Sequence, residues 1–270
     1  MKRQLSLFLA AIQFLTRLPV PQLERFQSDW PARSVRYFPL VGVLVGLISV
    51  GVWWLSRRVY TSAVAIGLMM AVSLLLTGAM HEDGFADVCD GFGGGRSRDA
   101  VLSIMKDSRI GAYGAIGIGM MLALKWVVLA SLPREVFPVS VVFSHMISRW
   151  CAVGLIWRLS YVRADADAKS KAFAGGLSVL DWLVSGALGV LGLLPVILLG
   201  NRVSGTPQTA IVLLALAVAT ALAVAGSAVA GAYFKARIGG YTGDCLGSAQ
   251  QLSELIFLMA MLGSSAEFQS

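Results

Sequence analysis

The stretch His81–Gly95 reads HEDGFADVCDGFGGG. It places Glu82, Asp83, Asp87 and Asp90 within nine residues of a chain that has only 15 acidic residues. Asp83, Asp87 and Asp90 recur at i, i+4 and i+7, which on a helix puts them within about 60° of one another. Glu82 points roughly a quarter-turn away. Three carboxylates on one face repel unless something positive sits among them. A hard divalent cation is the natural occupant, because Mg²⁺ or Mn²⁺ takes oxygen ligands and keeps positions open for phosphate. The spacing therefore predicts a Mg²⁺ site at Asp83, Asp87 and Asp90; the structural alternative is a solvated acidic helix end. No Cys/His set with zinc spacing accompanies it.

The chain continues as GFGGGRSRDAVLSIMKDSRIGAYG. Gly91, Gly93, Gly94 and Gly95 predict a loop whose backbone N–H groups can approach a ligand closely. Arg96 and Arg98 follow, then a short helix, then Lys106, Asp107, Ser108 and Arg109. This is not a Walker loop, since no G-x-x-x-x-G-K-[ST] is present. Beside a carboxylate cluster, however, glycines with Arg and Lys are the parts a diphosphate site needs; alone, they would read as a flexible linker. Further along, SHMISRW sets His145 and Arg149 four residues apart on one helical face. An intramembrane arginine is either a functional group or half of a buried ion pair. Lys125 is expected to snorkel. IGGYTGDCLG offers Thr242 and Asp244 as ligand-facing groups or as helix caps.

These groups need elements to hold them. Of the 270 residues 57% are hydrophobic and 14% charged, with mean hydropathy +0.74. Soluble domains are about 25% charged. Uncharged runs cover 38–56, 59–80, 182–201 and 203–234; those at 110–132 and 136–157 are broken once each, by Lys125 and Arg149, and 255–266 is shorter. Without period-2 alternation such runs form helices in lipid. The expectation is an all-α, polytopic membrane bundle of about seven transmembrane helices, one catalytic domain over 1–270. Its N-terminal segment, 1–37, carries a helix at Leu5–Leu15 that lies on the membrane surface or packs on the bundle. It lacks the small-residue cleavage site of a signal peptide. Cys89, Cys151 and Cys245 form no disulfide framework. Gly42 and Gly46 make a G-x-x-x-G suited to packing within the chain or in an oligomer.

Charge sorts the connections. The segments 1–37, 81–109, 158–178 and 235–250 hold 16 Lys and Arg, and the alternate connections hold four: Arg57, Arg58, Arg134 and Arg202. That asymmetry predicts that the first set, including the acidic stretch, faces the cytoplasm. It also explains the net charge of +7 without nucleic acid.

At this point the motifs resemble one family. HEDGFADVCDGFGGG with IMKDSRIGAYG is similar to the cobalamin synthases, the adenosylcobinamide-GDP ribazoletransferases. The agreement extends to FLTRLPVP (14–21), YFPLVGVLVG (37–46), SRW (148–150), YVRADADAKSKAF (161–173) and GGYTGDCLG (239–247). The resemblance implies a Mg²⁺-dependent, multi-pass enzyme of the bacterial inner membrane with its active site facing the cytoplasm. It implies that adenosylcobinamide-GDP and α-ribazole 5′-phosphate, or α-ribazole, give adenosylcobalamin 5′-phosphate, or adenosylcobalamin, plus GMP. Arg163 and Asp165 of the RAD loop enter as substrate-binding residues on the same ground. On the residues' own chemistry, Asp83, Asp87 and Asp90 would hold the metal on the diphosphate, and one of them, or Glu82, would take a hydroxyl proton. Arg96, Lys106, Arg109 and Arg149 are candidate phosphate clamps. The competing readings are a lipid synthase of the CDP-alcohol phosphotransferase type and a cation-coupled transporter. The strict D-G-x-x-A-R pattern of the former is absent.

Overall fold

The computed structural model describes residues 2–21, 30–163, 177–200 and 206–264. Among them the chain forms eleven α-helices and one isolated bridge, Tyr161 with Tyr241. α1 (Lys2–Leu15) is followed by α2 (Trp30–Ser34), and a 3₁₀ turn then leads into α3 (Phe38–Ser56). Next come α4 (Ser62–Thr77), α5 (Met80–Gly94) and α6 (Arg98–Ile104). α7 (Ala112–Ser131), α8 (Phe137–Arg158), α9 (Val179–Gly200), α10 (Thr206–Ile238) and α11 (Gly243–Ser264) complete the bundle.

Each apolar run is helical over most of its described residues. Five described helices are long and apolar enough to cross a membrane: α3 with the turn before it, α7, α8, α10 and α11. α4 is apolar but ends after 16 residues, and α5 leaves it at 87°. The acidic helix is thereby set off from the continuous spans. The last helix starts at Gly243, and its polar first half is buried in the bundle.

α8 is the axis of the bundle, with 15 of its 22 residues buried. It reaches α3 through glycine. A Cβ at Gly42 would overlap the carbonyl of His145, and one at Gly46 would come within 2.8 Å of the Val142 Cα. The G-x-x-x-G therefore packs inside the chain. Trp53 stacks on Phe137 at 4.4 Å between ring centres and tightens the far end of the same pair. α9 sits on α8 through Trp182, which stacks on both Trp150 and Trp157. α1 buries Leu7, Ala11, Ile12 and Leu15 in a cluster with α2, α3 and α8, so it packs on the bundle.

The connections that sequence sorted as one basic set gather at one end. Arg98 Nε donates to the Ile238 carbonyl at 3.0 Å, and Arg237 donates to the Gly95 carbonyl at 2.7 Å. Arg98 thus closes the C-terminal end of α10 and Arg237 that of α5, where unpaired carbonyls accumulate negative charge. The Tyr241 N–H donates to the Ser160 carbonyl and the Val162 N–H to the Tyr241 carbonyl, both at 3.0 Å.

Close packing at Gly42 is testable. Gly42→Ala should lower stability by about 1–3 kcal/mol, the usual range for overpacking. Gly51→Ala in the same helix, where a Cβ meets nothing within 4 Å, should be neutral or stabilising by up to about 1 kcal/mol. Thermal unfolding in detergent compares them; equal melting temperatures would contradict the packing argument.

Candidate active site

The acidic helix is placed by its own break. Gly78 and Ala79 both adopt left-handed backbone, with φ of 67° and 55°. Gly78 is also pressed against the Arg17 guanidinium. Two successive left-handed residues turn the chain sharply, and α5 starts afresh against α7 and α11. Glycine again allows the approach. The Cβ positions of Gly84 and Gly247 face the backbones of Asp244 and His81, respectively, which locks α5 and α11 side by side.

The three aspartates of the predicted face separate in role. Asp90 accepts the N–H of Gly111 at 2.7 Å and of Gly114 at 2.8 Å, so it caps the start of α7. Asp83 is exposed and Asp87 half-buried. Among the described residues no three His, Cys, Asp or Glu side chains stand close enough to hold a metal by themselves. Asp87 instead has Asp244, Asp83 and Asp90 as electrostatic neighbours. Burial first, then these carboxylates, pushes its pKa up to about 7, while Arg163 pulls it down. Negative charge is in excess here, and the available donors are oxygens.

Beside this face lies a cavity of about 270 Å³. Its rim carries Asp83 and Gly243, both exposed, with Tyr161, Arg163 and Asp244 half-buried. Arg163 donates to Asp244 at 2.6 Å and to the Met105 carbonyl at 3.1 Å. Its floor carries His81, Arg149 and Gln250, all buried, and Phe14, Phe38 and Ile156 contribute apolar wall. Thr242 is the helix cap: its Oγ accepts the Cys245 N–H at 3.3 Å. Asp165 lies outside the described residues.

Below the floor runs a buried polar network. Lys125 is not a snorkelling residue: it is 6% exposed and donates to Glu254 at 3.0 Å and to Gln251 Oε1 at 2.7 Å. Because Lys only donates, Gln251 must present its amide N–H to Glu82, at 2.7 Å, and to Gln250 Oε1, at 2.8 Å. Gln250 in turn donates to Glu254 at 2.6 Å and to Ser148 at 3.0 Å. His145 Nδ1 stands 3.3 Å from Glu254. His145 thus belongs to this network, and Glu82 faces it rather than the cavity. Glu254, Gln250 and Gln251 are the residues that sequence reasoning missed. A polar pair at i and i+4 ahead of an apolar run was the available signal.

The other candidates lie elsewhere. Gly91–Gly94 form the last turn of α5 instead of a loop, and Gly91 seats Met105 of the segment after α6. Gly94 ends the helix exposed, and Arg96, Lys106 and Ser108 are exposed around α6. Arg109 pairs with Asp107 at 2.6 Å. That hydrogen bonding holds the Asp107 carboxyl down at about 2.

The cobalamin-5-phosphate synthase family model matches residues 7–262. An adenosylcobinamide-GDP ribazoletransferase of Shewanella frigidimarina is 41% identical over 263 residues, 96% of this chain and 95% of that protein. One of Ralstonia pickettii is 42% identical over 259 residues, 93% of each. No solved structure matches.

The buried pair sets a stability expectation. Glu254→Gln leaves the Lys125 ammonium uncompensated and should cost about 3–5 kcal/mol. Adding Lys125→Met should restore most of that loss. Unfolding of the single and double variants in detergent checks this; a double variant no more stable than Glu254→Gln would refute the pairing.

Proposed function

Because this chain belongs to the cobalamin-5-phosphate synthase family, we propose that it joins adenosylcobinamide-GDP to α-ribazole 5′-phosphate or α-ribazole. The products are adenosylcobalamin 5′-phosphate or adenosylcobalamin, and GMP. A sugar hydroxyl attacks the phosphorus bonded to the cobinamide. The bond from that phosphorus to the bridging oxygen breaks, GMP leaves with the electron pair, and the hydroxyl proton is released. The observation that carries the reading is the rim of the cavity. There Asp83 and Asp244 stand with Arg163 on a cavity of about 270 Å³, and Asp87 is the electrostatic neighbour of all three.

The residues fit Mg²⁺, which is typically held by one or two carboxylates plus substrate phosphates. Asp83 and Asp87 are those carboxylates in this proposal. When bound, the cation supplies positive charge against the diphosphate oxygens. Arg163, fixed by Asp244 and the Met105 carbonyl, is aimed at the same diphosphate. The rim carboxylate that the cation leaves free is the group placed to accept the hydroxyl proton. Asp90 acts by capping α7. Glu82 acts by anchoring α5 to Gln251. The collected basic connections support a cytoplasmic site in the bacterial inner membrane, where soluble nucleotides are delivered.

The decisive assay supplies purified protein, Mg²⁺, adenosylcobinamide-GDP and α-ribazole 5′-phosphate in detergent. GMP and the cobamide should appear together and disappear with chelator. Release of CMP from a CDP-alcohol, or a need for sealed vesicles, would replace this reading. Asp87→Asn should lower turnover by on the order of a hundredfold, with partial rescue by excess Mg²⁺. Glu82→Gln, which can still accept from Gln251, should keep most of it, as should Asp99→Asn on the exposed surface. Protons compete with the cation at Asp87. Apparent Mg²⁺ affinity should therefore fall as pH drops below about 7 and level off above it; calorimetry across pH checks the sign.

Orientation has its own test. A cysteine at Ser97 should be shielded from a membrane-impermeant thiol reagent in intact cells, and one at Val59, 78% exposed, should react. The reverse pattern would invert the topology.

A further inference from the structure

Arg149 is a buried cation with no ion pair among the described residues. It is 2% exposed, yet no carboxylate lies within the 4.0 Å that would make an ion pair. One guanidinium nitrogen donates to the His145 carbonyl at 2.9 Å, and Nε has no partner. His81, 7% exposed and on the same floor, also has an unpartnered nitrogen, Nε2. Both residues line the cavity of about 270 Å³. Glu254 and Glu82 act on the guanidinium through space without pairing with it, so its charge is balanced at a distance while Nε, like the His81 nitrogen, is left with no hydrogen-bond partner. Two buried nitrogens that line one cavity and lack an acceptor call for an acceptor that arrives with the ligand, and beside a guanidinium the fitting acceptor is an anion.

Two anions are available on the proposed reading of this site, on which this inference rests. The donor carries an internal diphosphate with guanosine on one side and a corrinoid on the other. Such a group cannot enter a blind floor end-on, because both flanking bodies would have to follow it. The acceptor carries a terminal phosphate monoester, which can. Its sugar would lie above that phosphate, with the attacking hydroxyl directed back towards the carboxylate rim. The apolar wall of Phe14, Phe38 and Ile156 suits the aromatic base of the acceptor, shielded from water as the floor is. We propose that Arg149 and His81 form a subsite for the terminal phosphate of the acceptor nucleotide. Arg149 thereby sets the preference for the phosphorylated over the unphosphorylated acceptor.

Competition kinetics with α-ribazole 5′-phosphate and α-ribazole, at saturating adenosylcobinamide-GDP and Mg²⁺, reads this preference directly. Arg149→Met should reduce the ratio of the two kcat/KM values by on the order of 10–100-fold, the effect of losing one charge-assisted contact. His81→Leu should reduce it less, in the same direction. A parallel fall for both acceptors, with the ratio unchanged, would overturn the assignment in favour of a donor contact or a scaffold role. Calorimetry on the wild-type protein stands apart from turnover and from the folding of any variant. Ribose 5-phosphate should bind and ribose should not; equal behaviour of the two sugars would overturn the subsite. Wild-type protein that turns over neither acceptor but still binds ribose 5-phosphate would sink the transferase reading and leave the subsite standing.

Discussion

An ion pair in the middle of an apolar bundle governs the rest of this structure. Lys125 of α7 and Glu254 of α11 meet at 3.0 Å, both almost wholly buried. Charges in such surroundings persist only when every lone pair and proton is matched. The matching fixes more than the pair. Since Lys125 can only donate, the Gln251 amide has one permitted orientation, and through it the Gln250 amide as well. The network ends on Glu82 of α5. The register of the acidic helix against α7 and α11 is therefore set from below, by hydrogen-bond polarity, and from beside, by glycine contacts at Gly84 and Gly247.

Two adjoining populations of charge result, in contact where Arg149 donates to the His145 carbonyl. The lower one is bonded internally: Lys125, Glu254, His145, Ser148, Gln250, Gln251 and Glu82 bond to one another, with Glu82 Oε2 left without a partner. The upper one is open: among the described residues Asp83, Asp87 and Arg149 make no ion pair, and Arg149 Nε has no partner. Internal bonding holds the helices; openness is what a substrate and its metal require. Electrostatic preorganisation works when charges are fixed before the ligand arrives. Here the internally bonded population does the fixing, so that the unpaired groups cannot relax by pairing with each other.

Much of this arrangement was legible in the sequence. Runs of about 20 apolar residues can only be helices in lipid, and each is helical over most of its described residues. The i, i+4, i+7 spacing placed Asp83, Asp87 and Asp90 on one helix, which α5 confirms. The basic segments sorted together because they meet at one end of the bundle. What escaped notice depends on tertiary partners. Asp90 looks like its neighbours until the start of α7 arrives to take both its oxygens. Gly91–Gly94 look like a loop until α6 and the Met105 that follows it fill the space where side chains would be. Lys125 resembles any lipid-facing lysine unless Glu254 is known to lie opposite. Gln250, Gln251 and Glu254 were hidden because polar residues at the edge of an apolar run read as its boundary, although they formed its buried first half.

The break at Gly78–Ala79 reconciles these demands. A straight continuation of α4 would carry four carboxylates along a lipid-exposed axis, at a cost of several kcal/mol each. A flexible loop would free them but lose their spacing. Two left-handed residues, one a glycine against Arg17 and the other an alanine adopting a conformation that costs about 1–2 kcal/mol, redirect the chain while keeping it helical on both sides. The strain at Ala79 is small beside the desolvation it avoids. The acidic helix emerges rigid, anchored on its Glu82 side to the core of the bundle, and free on its Asp83 side to face the cavity. The position of the carboxylates is thus a consequence of where the membrane-spanning helices had to stop.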